Sequence, residues 1–271
     1  MANYIIGSGW WCADGSERDT NPNRKLIGDD KVRAVAFFEQ WLSAIQAFTL
    51  PSAIVVVDSN APRKPDSALR RSVKWVELPF NAKHAADHLG QWSGWLRSTM
   101  VGGNYALASE ADYFVYIEQD CLVGGVDIIE HCIEAMTKGI MFGSGEKTPQ
   151  PIQQSFFIIK RQKIAPFLKN LADLKGKDKE LSPEWKFVFA TWRPFVLASN
   201  LGLLQGKTIR KAVARIAGKL FYDELPLTGG RTRPIKFEAP FVYFQHGSLE
   251  EIDLFASHFL PVDKPREQPS E

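Results

Sequence analysis

Two short apolar runs that end in acidic residues constrain the fold of this 271-residue chain more than any other feature. Residues 53–57 (Ala-Ile-Val-Val-Val) precede Asp58, and residues 113–117 (Tyr-Phe-Val-Tyr-Ile) precede Glu118 and Asp120. A continuous apolar run is typical of a strand that is buried on both faces, as in a parallel sheet covered by helices. Since ligands of such sheets bind at the carboxyl ends of the strands, the acidic residues are candidate site residues.

Helical patterns separate the predicted strands. Apolar residues recur at steps of three and four from about Asp30 to Thr49, and further helical patterns cover about residues 85–109, 126–138, 161–172 and 205–221. This alternation predicts an α/β fold over residues 1–260: a single Rossmann-related domain with a mostly parallel central sheet and helices on both faces. Residues 261–271, which are rich in proline and charge, are predicted to form a flexible C-terminal tail.

Composition excludes several classes of protein. Apolar residues make up 45% of the chain and the net charge is only +2, which excludes extensive disorder and argues against a nucleic-acid partner. No apolar run approaches the roughly 20 residues of a membrane span, and the N-terminus lacks the pattern of a secretory signal. Three scattered cysteines, with no CxxC pair, predict neither a zinc site nor a disulfide framework. We therefore expect a cytoplasmic protein with no transmembrane segment.

Glycines follow the first predicted strand, Tyr4–Ile6. A turn at Gly7-Ser8-Gly9 would lie at the carboxyl edge of the sheet, which makes Gly7 and Ser8 candidate donor-binding residues. A dinucleotide-binding fingerprint would need a third glycine where Cys12 stands, so a Rossmann dehydrogenase is not favoured. The chain also has no P-loop motif.

Glu118 and Asp120 are part of an ordered set of motifs. A helical segment with glycines, Arg97 and Asn104 comes before their strand, and an acidic pair, Asp223 and Glu224, comes about a hundred residues after it; His246 closes a later aromatic run, residues 241–244. In this order the motifs resemble those of the GT-A fold of nucleotide-sugar glycosyltransferases. The resemblance extends over roughly residues 3–247, with Glu118 standing where the family's Asp-x-Asp motif has its first aspartate.

The resemblance implies a metal-dependent enzyme that moves a sugar from a nucleotide-diphosphate donor to the hydroxyl of a carbohydrate or glycan acceptor. Asp120, Glu118 and His246 would hold Mn²⁺ or Mg²⁺. Oxygen ligands suit both ions, and one imidazole favours Mn²⁺. The cation would bridge the donor diphosphate and take up charge from the leaving group.

The remaining site residues follow from the same resemblance. Asp58 would hold the nucleoside, while Arg97, with Asn104 on the same helix, would contact the diphosphate. Glu224 would act as the general base of an inverting transfer, with Asp223 as the second candidate. Both would be held at the start of a helix.

Two alternatives stay open on the sequence. The chain could be a non-catalytic nucleotide-sugar or carbohydrate-binding protein on the same fold, for which the pair Asp223 and Glu224 would have no use. The basic residues of the 205–221 helix could form a solvated face, or they could contact an anionic acceptor or a membrane surface. These residues are Lys207, Arg210, Lys211, Arg215 and Lys219.

Overall fold

The computed structural model describes residues 2–13, 28–83, 91–175, 178 and 180–260. Its strands are β1 (Tyr4–Trp10), β2 (Ala53–Asp58), β3 (Lys74–Glu77), β4 (Tyr113–Ile117), β5 (Cys121–Gly124), β6 (Ile140–Ser144), β7 (Ile152–Lys160), β8 (Asp223–Glu224), β9 (Thr228–Gly230) and β10 (Val242–Gln245). Its α-helices are α1 (Phe37–Phe48), α2 (Ser67–Arg71), α3 (Gly94–Ala108), α4 (Ile128–Ala135), α5 (Arg161–Asp173), α6 (Pro183–Ala190), α7 (Arg193–Asn200), α8 (Lys207–Leu220) and α9 (Leu249–Phe259).

Within the described ranges, seven strands form the central sheet, in the order β3-β2-β1-β4-β7-β6-β8. Strand β1 pairs in parallel with β2 and β4, β2 pairs in parallel with β3, and β8 pairs in parallel with β6. Strand β7 is antiparallel to both of its neighbours, so within the described part of the sheet it alone runs against the others. The predicted α/β class with a mostly parallel sheet is confirmed.

Helices cover both faces of this sheet, which explains the apolar runs in the sequence. On β4, Val115 and Ile117 belong to a core shared with helices α1, α4 and α9, whereas Phe114 and Tyr116 belong to a core shared with α3, α5 and α6. Both faces of β4 are therefore covered, and its side chains are apolar on both sides. No helix in the described ranges is long and apolar enough to cross a bilayer.

A second, three-stranded sheet in the order β5-β10-β9 stands beside the first. Strand β10 is antiparallel to β5, with Gln245 opposite Cys121, and parallel to β9. This pairing joins a segment near the end of the chain to the residues that directly follow β4. It is the feature of the fold that assembles the candidate site.

The predicted turn at Gly7-Ser8-Gly9 is wrong, because β1 continues through it to Trp10. Gly7 pairs with Val55 on one side and with Tyr116 on the other. A Cβ atom on Gly7 would lie 2.6 Å from the ring of Phe114, so the glycine is required by packing inside the strand.

Three predictions about helices differ from the structure or extend beyond the described residues. The 30–49 pattern divides into a 3-10 turn at Asp30–Arg33, capped by Asp29, and helix α1. Asp223 and Glu224 form strand β8, paired with Met141 and Phe142, and do not begin a helix. Helix α3 runs unbroken through Gly102 and Gly103, while the start of the 85–109 pattern and the 261–271 tail lie outside the described residues.

Candidate functional site

Glu118 and Asp120 lie in the turn between β4 and β5, at the carboxyl edge of the parallel strands. The Cys121 amide donates to the Glu118 carbonyl at 3.0 Å, which closes the turn, and the Glu118 amide donates to the Ser155 carbonyl at 2.8 Å. The turn is therefore fixed by backbone bonds on both sides. Both carboxylates are mostly shielded from solvent, Asp120 with 13% of its side chain exposed.

His246 reaches the same place from the end of β10. Its Nε2 lies 3.2 Å from Oδ2 of Asp120, and 15% of its side chain is exposed. The Nδ1 atom is buried and has no hydrogen-bond partner in the described part of the chain. The structure therefore brings together the three residues predicted as metal ligands, although their metal role stays a prediction.

Gln245 is a central member of the site that the sequence analysis missed. Its Nε2 donates to Oδ1 of Asp120 at 3.1 Å and also, through a short contact, to Oε2 of Glu118. One amide group thus joins the two carboxylates. Its position directly before His246 is the sequence signal that could have pointed to it.

Arg231 fixes the other end of the Gln245 amide. Its Nε donates to Oε1 of Gln245 at 3.0 Å, and its backbone amide donates to Oε1 of Gln153 at 2.8 Å. Its Nη1 lies 3.8 Å from Oε1 of the buried Glu184 on helix α6. The guanidinium therefore balances part of the negative charge of the site and sets which end of the Gln245 amide faces the carboxylates.

The two carboxylates titrate in opposite directions. Burial and the neighbouring charge of Asp120 raise the pKa of Glu118, although the charge of Arg231 opposes this. Burial also acts to raise the pKa of Asp120, but the hydrogen bond and charge of His246 outweigh it and the net shift is downward. Asp120 is therefore the carboxylate that stays ionised, and Glu118 is the one whose charge lacks compensation.

The backbone at His246 is strained and closely packed. Its φ of 58° lies in the left-handed region, which is uncommon for a residue with a side chain. Gly28, with φ of 80°, packs directly on it: a Cβ on Gly28 would lie 2.5 Å from the His246 carbonyl. The Asp29 amide donates to the Gly247 carbonyl at 2.9 Å. The 28–29 segment thus holds His246 in place.

The predicted catalytic pair is placed apart from this cluster. Asp223 accepts hydrogen bonds from the amides of Thr137 and Lys138, each at 2.8 Å, and pairs with Nζ of Lys138 at 3.1 Å. Burial raises its pKa, but these bonds outweigh burial and lower it overall. The carboxylate of Asp223 is thus held by residues 137 and 138, whereas the adjacent Glu224 is exposed. The catalytic role of either residue stays a prediction.

Asp58 lies at the carboxyl end of β2 as predicted, but it is fully buried. Its Oδ1 accepts from the Ala61 amide at 2.7 Å, and its Oδ2 lies 3.3 Å from Nζ of Lys64. Lys64 also pairs with Glu77 at 2.8 Å. Oδ1 of Asp58 therefore has a hydrogen-bond donor, whereas the buried Oδ2 has an ion-pair partner but no hydrogen bond within the described part of the chain. The nucleoside contact of Asp58 stays a prediction.

The other residues that were predicted to contact the sugar-nucleotide donor lie in different parts of the fold. Arg97 is in the first turn of α3, where its guanidinium stacks 4.5 Å from the ring centre of Phe80 and its Nε donates to the Trp92 carbonyl at 3.1 Å. Asn104 is exposed further along the helix and bonds to the Met100 carbonyl. Gly7 and Ser8 are buried inside β1. Of these residues, only Arg97 lies near the carboxyl edge of the sheet.

The side chains that meet at this site could serve as ligands of a divalent cation. Two carboxylates and an imidazole meet here, one carboxylate lacks full charge compensation, and Nδ1 of His246 is buried without a partner among the described residues. The side chains are not arranged as a ready three-ligand cluster in the described ranges, because the Gln245 amide lies between the carboxylates.

Comparison with known proteins gives likenesses of structure only. No protein-family model and no curated protein matches the chain. Among solved structures, it is similar to the galactosyltransferase LgtC, determined with donor and acceptor sugar analogues, at 10% identity and a TM-score of 0.44 over 97% of this chain and 98% of that one. It is also similar to the glycosyltransferase GlyE of Streptococcus pneumoniae, at 9% identity and a TM-score of 0.40 over 83% of this chain.

A third similar structure is a cytidylyltransferase of Leptospira borgpetersenii, at 11% identity and a TM-score of 0.39 over 83% of this chain and 75% of that one. The chain spans less than half of GlyE, 45% of its length. At these identities and TM-scores the likenesses identify no substrate, metal or mechanism for this chain, so those must be argued from its own residues.

Proposed function

We propose that this chain is a nucleotide-sugar glycosyltransferase whose donor binds at Glu118, Asp120 and His246. The observation that carries the proposal is the approach of His246 to Asp120, at 3.2 Å, across 125 residues of chain and at the carboxyl edge of the sheet. Convergent carboxylates at this edge of the sheet suit a cation that binds a diphosphate, and the imidazole of His246 could complete its ligands.

The charge balance of the site supports a cation. Glu118 and Asp120 share one buried site in which His246 and Arg231 supply the compensating groups. Mn²⁺ or Mg²⁺ held by Asp120, Glu118 and His246 would stabilise the negative charge on the departing nucleoside diphosphate. Gln245 and Arg231 hold these side chains in position before the donor binds.

The transfer itself requires a general base. It takes the proton from the acceptor hydroxyl as the oxygen bonds to the anomeric carbon and the bond from that carbon to the diphosphate breaks, which inverts the configuration. Of the predicted pair, Glu224 is the better candidate, because Asp223 already accepts bonds from Thr137 and Lys138. We propose Glu224 as the base, with Arg97 contacting the diphosphate.

Donor binding tests the site. We would measure thermal shifts with UDP-, GDP-, CMP- and dTDP-sugars, with Mn²⁺ and with chelator, for the wild type, Asp120→Asn and Asp112→Asn. The last substitution is the matched control, since Asp112 is exposed at the opposite end of β4. We expect cation-dependent stabilisation of the wild type and the control only. Undiminished donor binding or turnover by Asp120→Asn, or full wild-type activity in excess chelator, would contradict the proposal.

Turnover separates an enzyme from a binding protein on the same fold. Glu224→Gln should lower kcat by roughly 10²–10⁴-fold while donor binding stays intact. Glu184→Gln is the matched comparison, because Glu184 is a buried carboxylate beside Arg231. A normal kcat for Glu224→Gln together with a large loss for Glu184→Gln would move the base to Glu184. Tight donor binding without any transfer to a panel of glycan acceptors would favour the binding protein.

A further inference from the structure

The charge distribution along the chain is uneven near helix α8. Residues 185–222 contain seven Lys or Arg residues and no Asp or Glu, in a chain whose basic and acidic residues are nearly balanced overall, at 33 and 31. Two of the seven are engaged elsewhere, since Lys186 pairs with Asp178 and Arg193 pairs with Asp173. The others lie on α8, so the positive charge is concentrated on one element.

Large apolar side chains are exposed in the same region. The described ranges contain twelve exposed large apolar residues, and seven of them lie between Trp192 and Leu220. Leu201 and Leu203, on either side of Gly202 in the turn between α7 and α8, have exposed fractions of 74% and 62%. This density exceeds the scattered single apolar residues that are normal on a protein surface and marks an interaction surface.

Helix α8 presents the two kinds of side chain side by side. Val213 and Ala217 are buried and face the core. Lys211, Arg215 and Lys219 follow one another at steps of four along the exposed side, and no ion pair engages them within the described part of the chain. Ile209, Ile216 and Leu220 form an exposed apolar row at steps of seven and four, next to the buried face.

We propose that α8 and the preceding leucine turn, residues 201–220, dock on the surface of an anionic phospholipid membrane. We call these residues the α8 surface. A helix that carries a basic row beside an apolar row lies in the membrane interface, with the apolar side chains in the headgroup boundary and the cations against anionic lipid. The leucine turn adds apolar area at one end of the helix.

The charge pattern favours a membrane over an acidic macromolecule. A polyanion such as nucleic acid would be bound by the basic row alone and would leave the leucine turn exposed to water. A membrane takes up both rows at once, since anionic headgroups and acyl chains lie within one side-chain length of each other. Glu180 lines an 890 Å³ cavity together with Lys207, Arg210 and Lys211, whereas Arg215 and Lys219 are not part of its lining and are the most favourable positions for an anionic headgroup.

Vesicle binding tests this proposal independently of the proposed transfer, because it needs no donor and no acceptor. The full chain is sedimented with vesicles of phosphatidylcholine alone and with vesicles that also contain phosphatidylglycerol, at low and high salt. We expect binding only to the anionic vesicles and weaker binding at high salt. Each basic residue near an anionic surface contributes about fivefold, so Lys211→Gln with Arg215→Gln should lower partitioning about 25-fold.

Matched variants separate docking from general changes in charge. Leu201→Ser with Leu203→Ser should lower binding at least about tenfold, because each inserted leucine side chain contributes about that much. The controls are Arg71→Gln with Lys74→Gln, at the opposite edge of the sheet, and Leu50→Ser, which is 48% exposed. They should bind as the wild type does, and all variants should keep the wild-type melting temperature.

Three results would overturn the proposal. The first is a wild type that stays in the supernatant with both kinds of vesicle. The second is equal binding by the α8-surface variants and the wild type. The third is binding to poly-glutamate or heparin that depends on Lys211 and Arg215, with none to vesicles, which would assign the basic row to an acidic macromolecule.

Discussion

The side-chain amide of Gln119 is hydrogen-bonded at both ends to the backbone of Trp11. The Trp11 amide donates to Oε1 at 2.7 Å, and Nε2 donates to the Trp11 carbonyl at 3.0 Å. The middle residue of the Glu118-Gln119-Asp120 turn thus ties that turn to the end of β1. The two flanking carboxylates are thereby aimed away from β1 toward β10.

Gln119→Glu tests this connection. The carboxylate cannot donate to the Trp11 carbonyl, and it adds negative charge next to Glu118 and Asp120, so we expect a loss of about 1–3 kcal/mol in the free energy of unfolding. Urea denaturation measures it, with Gln162→Ala on the exposed side of α5 as the control. A loss no larger than that of the control would mean that the two bonds do not hold the turn.

Asp223 and Glu224 should separate into a structural and a catalytic residue. Asp223→Asn removes the ion pair with Lys138 and weakens acceptance from two amides, so we expect a loss of about 1–3 kcal/mol in stability. Because its folded pKa is lowered, this stability is present above the ordinary value of 3.8 and is lost as pH falls below it. Glu224→Gln should unfold like the wild type in the same denaturation series.

The opposite assignment would be visible in the same measurements. In that case Asp223→Asn would keep wild-type stability and lose turnover. The hydrogen bonds of Asp223 would then not stabilise the fold, and Asp223 rather than Glu224 would be the catalytic residue.

The fold was predictable where one-dimensional patterns decide it. The apolar runs of β2 and β4 predict strands buried on two faces, and the stripes of α1 and α8 predict helices. The turn predicted at Gly7 is wrong because the sequence does not show whether a glycine ends a strand or leaves space for a neighbouring ring, here that of Phe114. Only the pairing of β1 with two neighbours distinguishes these cases.

The site was predictable in its ligand types but not in its connections. The order of Glu118, Asp120 and His246 along the chain could be read from the sequence, and the structure brings them together. Gln245 and Arg231 were missed because their roles arise from the pairing of β10 with β5, which no local pattern shows. Exposure, which decides between Asp223 and Glu224, likewise belongs to the folded chain.

Asp58 offers a test between a structural role and a nucleoside contact. Asp58→Ala leaves the Ala61 amide without its acceptor in a fully buried position, so we expect a loss of about 1–3 kcal/mol in stability. Asp58→Asn keeps an acceptor oxygen and should lose less. If the role is structural, donor KM of Asp58→Asn equals that of the wild type. A donor KM raised without any loss of stability would establish the nucleoside contact.

The opposite pKa shifts of Glu118 and Asp120 predict opposite pH profiles in chelator. The pKa of Glu118 is raised above 4.5 in the folded state, so the wild type loses stability as pH rises from that value through the folded pKa. Glu118→Gln should therefore match the wild type near pH 4.5 and become more stable than it as pH increases. The variant lacks one ionised carboxylate of a buried pair.

Asp120→Asn should show the reverse trend. The folded pKa of Asp120 is lowered from 3.8, so its contribution to stability is present above that value and is lost as pH falls through the folded pKa. We expect the variant to be less stable than the wild type at neutral pH and to approach it in acid. Parallel profiles for the Glu118 and Asp120 variants would mean that the two carboxyls are not distinguished by their surroundings.

The position of His246 should depend on Gly28. A Cβ on Gly28 would lie 2.5 Å from the His246 carbonyl and 2.7 Å from its Cα, both backbone atoms that cannot turn aside. Gly28→Ala must therefore shift the left-handed His246 or the 28–29 segment, and it also strains a residue with φ of 80°. We expect the contact between His246 and Asp120 to be weakened.

Gly206→Ala separates these two effects. Gly206 also has a positive φ, 88°, so alanine is strained there too, but no atom lies within 4 Å of its added Cβ. Both variants should lose about 1–2 kcal/mol of stability, because an alanine at positive φ is strained, and only Gly28→Ala should also displace His246. The imidazole NMR signals of His246 should move in Gly28→Ala and stay at their wild-type positions in Gly206→Ala, because only the first substitution displaces backbone atoms of His246. Wild-type positions of the His246 imidazole signals in both glycine variants would show that His246 is held by β10 alone.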